Sequence, residues 1–281
     1  MVVKLTLPNL VEDELLFIDN VVEQRTKEPN KTFFRDYKQE WKRRITTYLN
    51  HKGDPTIVGE SNMTPNKKKF INLYSSKNLD NVQTPIINKL RDRKLVYCPS
   101  CGEDGTPNTL DHYLPKDDYP EFSILSKNLF PMCDICQGKK STNTINEEGE
   151  RLFLHPYYDS FLEMQVVHLT ISKPYESPSA FSLRVNNALT PKQSGVVDRH
   201  IKSLDISGRY QNYAKDQYFR LLKLVSASRD INKDTRELLL AFKMMAATKN
   251  INSWENIFYS GVVEDQELMD YLSHGELMPL R

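Results

Sequence analysis

Apolar side chains recur every three to four residues in two stretches near the start of the chain, residues 12–27 and 31–50. The second stretch is the more regular, with five large side chains on one face: Phe34, Tyr37, Trp41, Ile45 and Tyr48. This spacing predicts two amphipathic helices, and a shorter helical segment follows at 84–93.

The helical spacing stops after residue 93, and sequence rich in Cys, Pro, Gly and Asp continues to residue 143. Turns and metal-binding knuckles are expected there. Strict alternation at 167–171 and 181–185 then predicts a small β-hairpin. Helical spacing returns in four segments, at about 193–204, 207–228, 234–249 and 265–273. The pattern indicates a mainly helical α+β fold.

The composition is that of a globular chain: 39% of the 281 residues are apolar and 10% are aromatic. No run of about 18 apolar residues is present. The first residues lack the basic start and uninterrupted apolar stretch of a secretory signal. We therefore expect a soluble, cytoplasmic protein.

The net charge of +1 gives no sign of a nucleic-acid partner, but the charge is unevenly distributed. Residues 25–70 hold 12 Lys/Arg against 5 Asp/Glu, residues 192–249 hold 12 against 6, and residues 250–281 hold 1 against 6. Phosphate contacts are therefore expected mainly from the basic flanking segments. The first segment includes a run that is either a solvated face or a nucleic-acid contact: Lys67, Lys68 and Lys69.

All the cysteines fall in two Cys-x-x-Cys pairs separated by 31 residues: Cys98 and Cys101, then Cys133 and Cys136. Two such knuckles predict a closed tetrahedral zinc site with a structural role. A redox-active dithiol would need only one pair and a thioredoxin-like βαβ pattern, which is absent. Unpaired buried cysteines would not fall in two matched pairs.

The stretch between the pairs contains Asp111-His112 followed by x-x-Pro-Lys, and Asn128 stands 16 residues after the histidine. With the second Cys-x-x-Cys running into Lys139-Lys140, this pattern resembles the zinc-containing branch of the HNH, or ββα-metal, nucleases. The resemblance covers about residues 95–145. The longer pattern through Tyr-Pro-Glu-Phe is also similar to HNH subunits of Septu-type anti-phage systems, which act with an ATPase.

The resemblance implies a role for each motif position. His112 would be the general base on the attacking water, and Asp111 would be a ligand of one catalytic Mg²⁺ or Mn²⁺. Asn128 would organise the loop between the strands. Gln137 stands where the family usually has His or Asn as a metal ligand, and its longer side chain puts catalysis at this site in doubt.

Further candidates surround the motif. Lys116, Lys139 and Lys140 are expected to contact phosphate. His155 either supplies an extra ligand or phosphate contact, or has a structural role at an element boundary.

Together these features predict three segments: a helical arm at 1–93, a zinc-stapled ββα nuclease unit at 94–160, and a β-hairpin with helices at 161–281. The expected function is metal-dependent hydrolysis of DNA phosphodiester bonds in anti-phage defence, beside an ATPase partner. The alternative is a catalytically inactive zinc-ribbon module that binds nucleic acid or protein.

Overall fold

The computed structural model describes residues 1–277, and the chain divides into two compact units. The N-terminal unit comprises Leu5–Cys98 and Gly105–Tyr158. The C-terminal unit comprises Met1–Lys4, Pro99–Asp104 and the chain from Asp159 onward. Among the described residues, no helix has both the length and the apolar character needed to cross a bilayer.

The N-terminal unit contains six helices and two strands: α1 (Glu14–Glu23), α2 (Asn30–Asn50), α3 (Pro55–Val58), α4 (Lys67–Ser75), α5 (Gln83–Arg91), β1 (Thr109–His112), β2 (Leu129–Met132) and α6 (Asp134–Lys140). The predicted helices at 12–27, 31–50 and 84–93 correspond to α1, α2 and α5. Helix α4 was not predicted, since three consecutive lysines open it and obscure its two buried positions, Phe70 and Leu73.

Aromatic packing holds α2 against α4. The Trp41 and Phe34 rings meet Phe70 edge-on, with ring centroids 5.1 and 5.6 Å apart. All three side chains are buried. Burying such a side chain contributes about 1.5–3 kcal/mol relative to leaving it exposed. This cluster lies under the loop that joins β1 to β2, because Trp41 Nε1 donates to the Glu121 carbonyl at 2.7 Å.

Strands β1 and β2 are antiparallel, with Asp111 opposite Phe130 and His112 opposite Leu129. Helix α6 starts directly after β2. Its N-cap is Cys133, whose sulfur accepts from the Cys136 amide at 3.4 Å. The order strand, strand, helix is the ββα arrangement expected for this segment.

Up to residue 277, the C-terminal unit contains two strands and five α-helices: β3 (Val167–Ile171), β4 (Phe181–Val185), α7 (Pro191–Ser203), α8 (Ile206–Asp230), α9 (Thr235–Lys249), α10 (Trp254–Glu264) and α11 (Gln266–His274). β3 and β4 pair antiparallel over the predicted residues, so the predicted hairpin is confirmed. Helix α7 begins at Pro191, two residues before the predicted start, because Thr190 and Gln193 form a capping box.

Helix α10 was not predicted. It is buried on several sides, including Trp254, Ile257 and Phe258, and therefore has no polar stripe for periodicity to detect. Helices α1–α5 belong to the same compact unit as the ββα element, and this unit ends at Tyr158. The division into three segments stays a prediction.

Candidate active site

The four cysteines form a cluster in which all sulfur atoms lie within 4.8 Å of one another. The backbone amide of Cys133 donates to Cys98 Sγ at 3.3 Å, a contact that stabilises a thiolate. Four sulfur ligands complete a tetrahedral shell and leave no position for water or substrate. The cluster is therefore consistent with structural zinc.

Asp111 lies on β1 and is 7% exposed. Its Oδ1 accepts from Gln137 Nε2 at 3.3 Å. The Lys140 ammonium lies 3.1 Å from Oδ2 as an ion pair, without hydrogen-bond alignment, and Oδ2 receives no hydrogen bond from the described residues. A buried, incompletely satisfied carboxylate oxygen is a site at which a cation or a donor can bind.

His112, at the end of β1, is held by its neighbours in one orientation. Its Nε2 lies 3.0 Å from the Ser123 carbonyl, which only accepts, so Nε2 bears the proton and Nδ1 keeps its lone pair. The Tyr74 ring packs edge-on against the imidazole at 4.6 Å. Burial lowers the pKa of His112 to about 3, so the ring is neutral at neutral pH and Nδ1 carries a lone pair.

Asn128 clamps the loop that follows β1. Its Oδ1 accepts from the Leu114 amide at 2.8 Å, and its Nδ2 donates to the Leu114 and Phe122 carbonyls at 3.0 and 3.2 Å. Oδ1 also accepts from the Tyr48 hydroxyl at 3.1 Å. The Asn128 side chain is fully buried and is not among the residues that line the pocket described below. Its contacts hold the loop in place.

A buried ion pair supports the same loop and was not predicted from the sequence. Arg44 Nε lies 2.7 Å from Glu121 Oε1, and Ser61 Oγ donates to Glu121 Oε2 at 2.6 Å. Arg44 also donates to the Val58 and Gly59 carbonyls. The sequence carried no signal for it, since Arg44 stands among surface-type basic residues and no local pattern links it to Glu121.

A cavity of about 380 Å³ opens over the ββα element, and its lining includes Asp111, His112, Gln137, Lys140 and Lys116. The structure thus brings five of the predicted residues to one pocket. Asn128 lies behind the pocket wall. A larger cavity of about 600 Å³ lies in the C-terminal unit among α8, α9 and α11, and none of the predicted site residues lines it.

Lys140 does not have the exposed position that was expected of a phosphate contact. Its side chain is 2% exposed and its ammonium donates to the His112 carbonyl at 2.7 Å, besides pairing with Asp111. Lys116 lines the pocket and is half-buried, and Lys139 is exposed on α6. These two lysines are the better placed of the three to meet a phosphate.

The three lysines that open α4 have separate surroundings. Lys67 pairs with Asp117 at 2.9 Å and lowers the pKa of that carboxyl. Lys69 donates to Asn30 and lies over the Phe33 ring. Lys68 is exposed. None of the three lines the pocket.

His155 is fully buried and does not line the pocket. Its Nδ1 accepts from the Tyr157 amide at 3.2 Å, so Nε2 carries the proton and lies 3.1 Å from the Tyr48 hydroxyl. The imidazole also packs on the Tyr113 ring at 4.1 Å. These contacts favour the structural role for His155 over direct contact with a metal or phosphate.

The oxygen donors around Asp111 fit a hard divalent cation. The carboxylate of Asp111 and the amide of Gln137 are adjacent, and Asp111 Oδ2 still has a free lone pair within the described residues. Mg²⁺ and Mn²⁺ prefer such ligands. The Lys140 ammonium lies on the same carboxylate, so the charge there is already balanced.

Comparison with known proteins finds two distant relatives. The chain is 30% identical over 168 residues to protein ea31 of Escherichia phage lambda, across 57% of this chain and 55% of that protein. It is 36% identical over 61 residues to the Septu protein PtuB of Bacillus thuringiensis, across 21% of this chain and 24% of that protein. The chain thus spans about half the length of one relative and a quarter of the other. No protein-family model and no solved structure matches it.

Proposed function

We propose that this protein is a metal-dependent HNH-type endonuclease that hydrolyses phosphodiester bonds in DNA. One observation carries the proposal. The ββα element brings Asp111, His112 and Gln137 to a single pocket, with the His112 ring fixed in the tautomer that leaves Nδ1 as a proton acceptor.

The reaction begins with a water molecule beside His112. Nδ1 takes a proton from this water as its oxygen attacks the phosphorus, and the bond from phosphorus to the 3′ oxygen breaks. The 3′ oxygen leaves with the bonding electrons and takes a proton from solvent. The Ser123 carbonyl accepts from Nε2–H throughout, so the imidazolium that forms keeps a hydrogen bond. The entering phosphate also favours the charged ring, because a nearby anion raises the pKa of a histidine.

Asp111 and Gln137 would hold one Mg²⁺ or Mn²⁺ through their side-chain oxygens. When bound, this cation supplies stabilisation of negative charge on the phosphate and on the departing oxygen. Gln137 now presents Nε2 to Asp111, so its amide turns before Oε1 can serve as a ligand.

DNA fits the distribution of basic side chains. Lys116, which lines the pocket, and Lys139, which is exposed on α6, would contact phosphates close to the reacting bond. Lys68 and the other exposed basic residues of 25–70 would contact phosphates farther along the strand. The similarity to a Septu protein supports action in anti-phage defence with a Septu partner. The resemblance of the Asp-His-x-x-Pro-Lys pattern to HNH subunits of Septu-type systems favours an ATPase as that partner.

The test is cleavage of supercoiled plasmid and of single-stranded DNA in the presence of Mg²⁺ or Mn²⁺. The protein is assayed alone and together with the products of its neighbouring genes, among which we expect an ATPase. Nicks or breaks that disappear in His112→Ala are expected. Cleavage that persists unchanged in this variant would exclude the mechanism.

The second candidate function is a zinc-ribbon module that binds nucleic acid or protein without cleaving it. The observation that favours it is the charge-balanced Asp111, which already pairs with Lys140 and accepts from Gln137. Binding of DNA or of the ATPase, with no cleavage under any tested metal, would support this function.

A further inference from the structure

We propose that the Lys140 ammonium is a resident counter-cation of Asp111, and that it keeps a divalent metal out of the site until a phosphodiester enters with it. This inference deepens the proposed function and rests on it for the role of the phosphodiester.

Lys140 is fixed in this position. Its Nζ lies 3.1 Å from Asp111 Oδ2 and 2.7 Å from the His112 carbonyl, and its side chain is 2% exposed. A surface lysine would leave its ammonium in water, whereas this one is held between the carboxylate and a strand carbonyl. The positive charge is therefore part of the site.

The carboxylates that line the pocket are balanced without a metal. Asp111 pairs with Lys140 at 3.1 Å and Asp117 pairs with Lys67 at 2.9 Å, while Lys116 adds a further positive charge to the lining. A divalent ion alone would add two uncompensated positive charges beside the buried Asp111, which is unfavourable. A phosphodiester brings one negative charge, so binding of the metal and binding of the phosphate should favour each other.

Gln137 also disfavours metal binding to the free site. A carboxylate at this position would supply a second negative charge for a metal, but the amide is neutral and donates Nε2–H to Asp111 Oδ1 at 3.3 Å. In the free site the Asp111 carboxylate therefore contacts the Lys140 ammonium and the Gln137 amide, and a metal must displace both groups. We expect weak metal binding to the free protein.

The experiment measures Mn²⁺ binding to the zinc-loaded protein by the electron paramagnetic resonance signal of free Mn²⁺. Lys140→Met removes the ammonium and retains the apolar chain, and Lys77→Met, at an exposed position in the loop after α4, is the control for loss of a lysine charge. Without DNA, Lys140→Met should bind Mn²⁺ about tenfold or more tightly than the wild type, since a positive charge close to the ion is removed. Lys77→Met should bind like the wild type.

The gain should depend on Asp111. Adding Asp111→Asn to Lys140→Met should return Mn²⁺ binding to the wild-type level. Equal Mn²⁺ affinity in wild type, Lys140→Met and Lys77→Met would overturn the inference. If Lys140→Met does not fold, Gln137→Glu replaces it: the added carboxylate should also tighten Mn²⁺ binding in the absence of DNA, and unchanged affinity would count against the inference.

The coupling to phosphate is measured in the His112→Ala background, in which DNA remains intact. A short duplex should raise Mn²⁺ affinity about tenfold in this background and much less when Lys140→Met is also present. A duplex effect of the same size in both proteins would refute the coupling. Failure of the proposed function gives a different result: the protein then cleaves no DNA, while the tighter Mn²⁺ binding of Lys140→Met without DNA is retained.

Discussion

The Tyr48 hydroxyl donates to Asn128 Oδ1 at 3.1 Å, across 80 residues of sequence. The same oxygen lies 3.1 Å from His155 Nε2. The Tyr48 hydroxyl on α2 therefore connects Asn128, which holds the loop after β1, to the buried His155. Tyr48 is fully buried, and burial raises the pKa of its phenol well above the usual range, so the hydroxyl keeps its proton.

Tyr48→Phe is expected to lower the free energy of unfolding by about 1–3 kcal/mol, because it leaves buried polar atoms of Asn128 and His155 without this partner. Urea unfolding at neutral pH measures the change. Tyr37→Phe is the matched control on the same helix: its hydroxyl accepts from Asn66 near the surface, and a change below about 0.5 kcal/mol is expected. Equal effects of the two substitutions would show that the buried hydroxyl does not stabilise the loop.

The Arg44–Glu121 pair under the same loop is expected to be sensitive to loss of one partner. Arg44→Met leaves the fully buried Glu121 carboxylate without its charge partner, and a loss of about 3–5 kcal/mol is expected. Arg35→Met breaks an exposed pair with Asp36 on the same helix and should change stability by less than about 1 kcal/mol. Thermal unfolding followed by circular dichroism compares the two, and similar midpoints would contradict the structural role of the buried pair.

Two carboxyls of α1 should give opposite pH trends. Burial raises the pKa of Glu14 above 4.5, since desolvation outweighs its contacts with Lys127 and Ser126. A raised pKa means that Glu14 favours folding while protonated and that this contribution is lost as the pH rises through the folded-state value. Hydrogen bonding from Lys42 lowers the pKa of Asp19 below 3.8, so Asp19 stabilises the fold at higher pH and loses that effect as the pH falls.

The measurement is urea unfolding from about pH 4 to pH 7. Relative to the wild type, Glu14→Gln should gain stability as the pH rises, because glutamine stays neutral. Asp19→Asn should be less stable than the wild type throughout this range, because a pKa below 3.8 keeps the wild-type carboxylate charged, and the difference should shrink only at lower pH. Parallel pH curves for Glu14→Gln and the wild type would mean that the burial of Glu14 has no energetic consequence.

Local features of this fold could be predicted from the sequence. The alternation at 167–171 and 181–185 predicted the residues of β3 and β4, the Cys-x-x-Cys spacing predicted the cysteine cluster, and the motif around Asp-His named five of the residues that line the pocket. These signals lie within short segments, where spacing alone defines which side chains share a face.

Long-range partnerships could not be predicted in the same way. Arg44 and Glu121 are 77 residues apart, and neither has a neighbour that indicates a buried partner. The buried position of Lys140 could not be predicted for the same reason. Its sequence context is that of a surface lysine at a helix end, and only the tertiary fold places it against Asp111. A single sequence carries no record of such pairs.

Removal of the zinc should unfold part of the protein, whereas removal of the proposed base should leave the zinc site intact. Elemental analysis of the purified protein should find about one equivalent of zinc, and structural zinc contributes on the order of 10 kcal/mol of binding energy to folding. Cys133→Ser should therefore unfold the ββα element, with loss of the near-ultraviolet dichroism of the packed aromatic residues around it. A chelator should do the same to the wild type, and added Zn²⁺ but not Mg²⁺ should reverse the loss.

His112→Ala is the control for the zinc experiment. It removes the proposed base and leaves all four sulfur ligands in place, so its zinc content should equal that of the wild type. A freshly purified protein that contains no zinc and is indifferent to the chelator would show that the four sulfur atoms lie together for another reason.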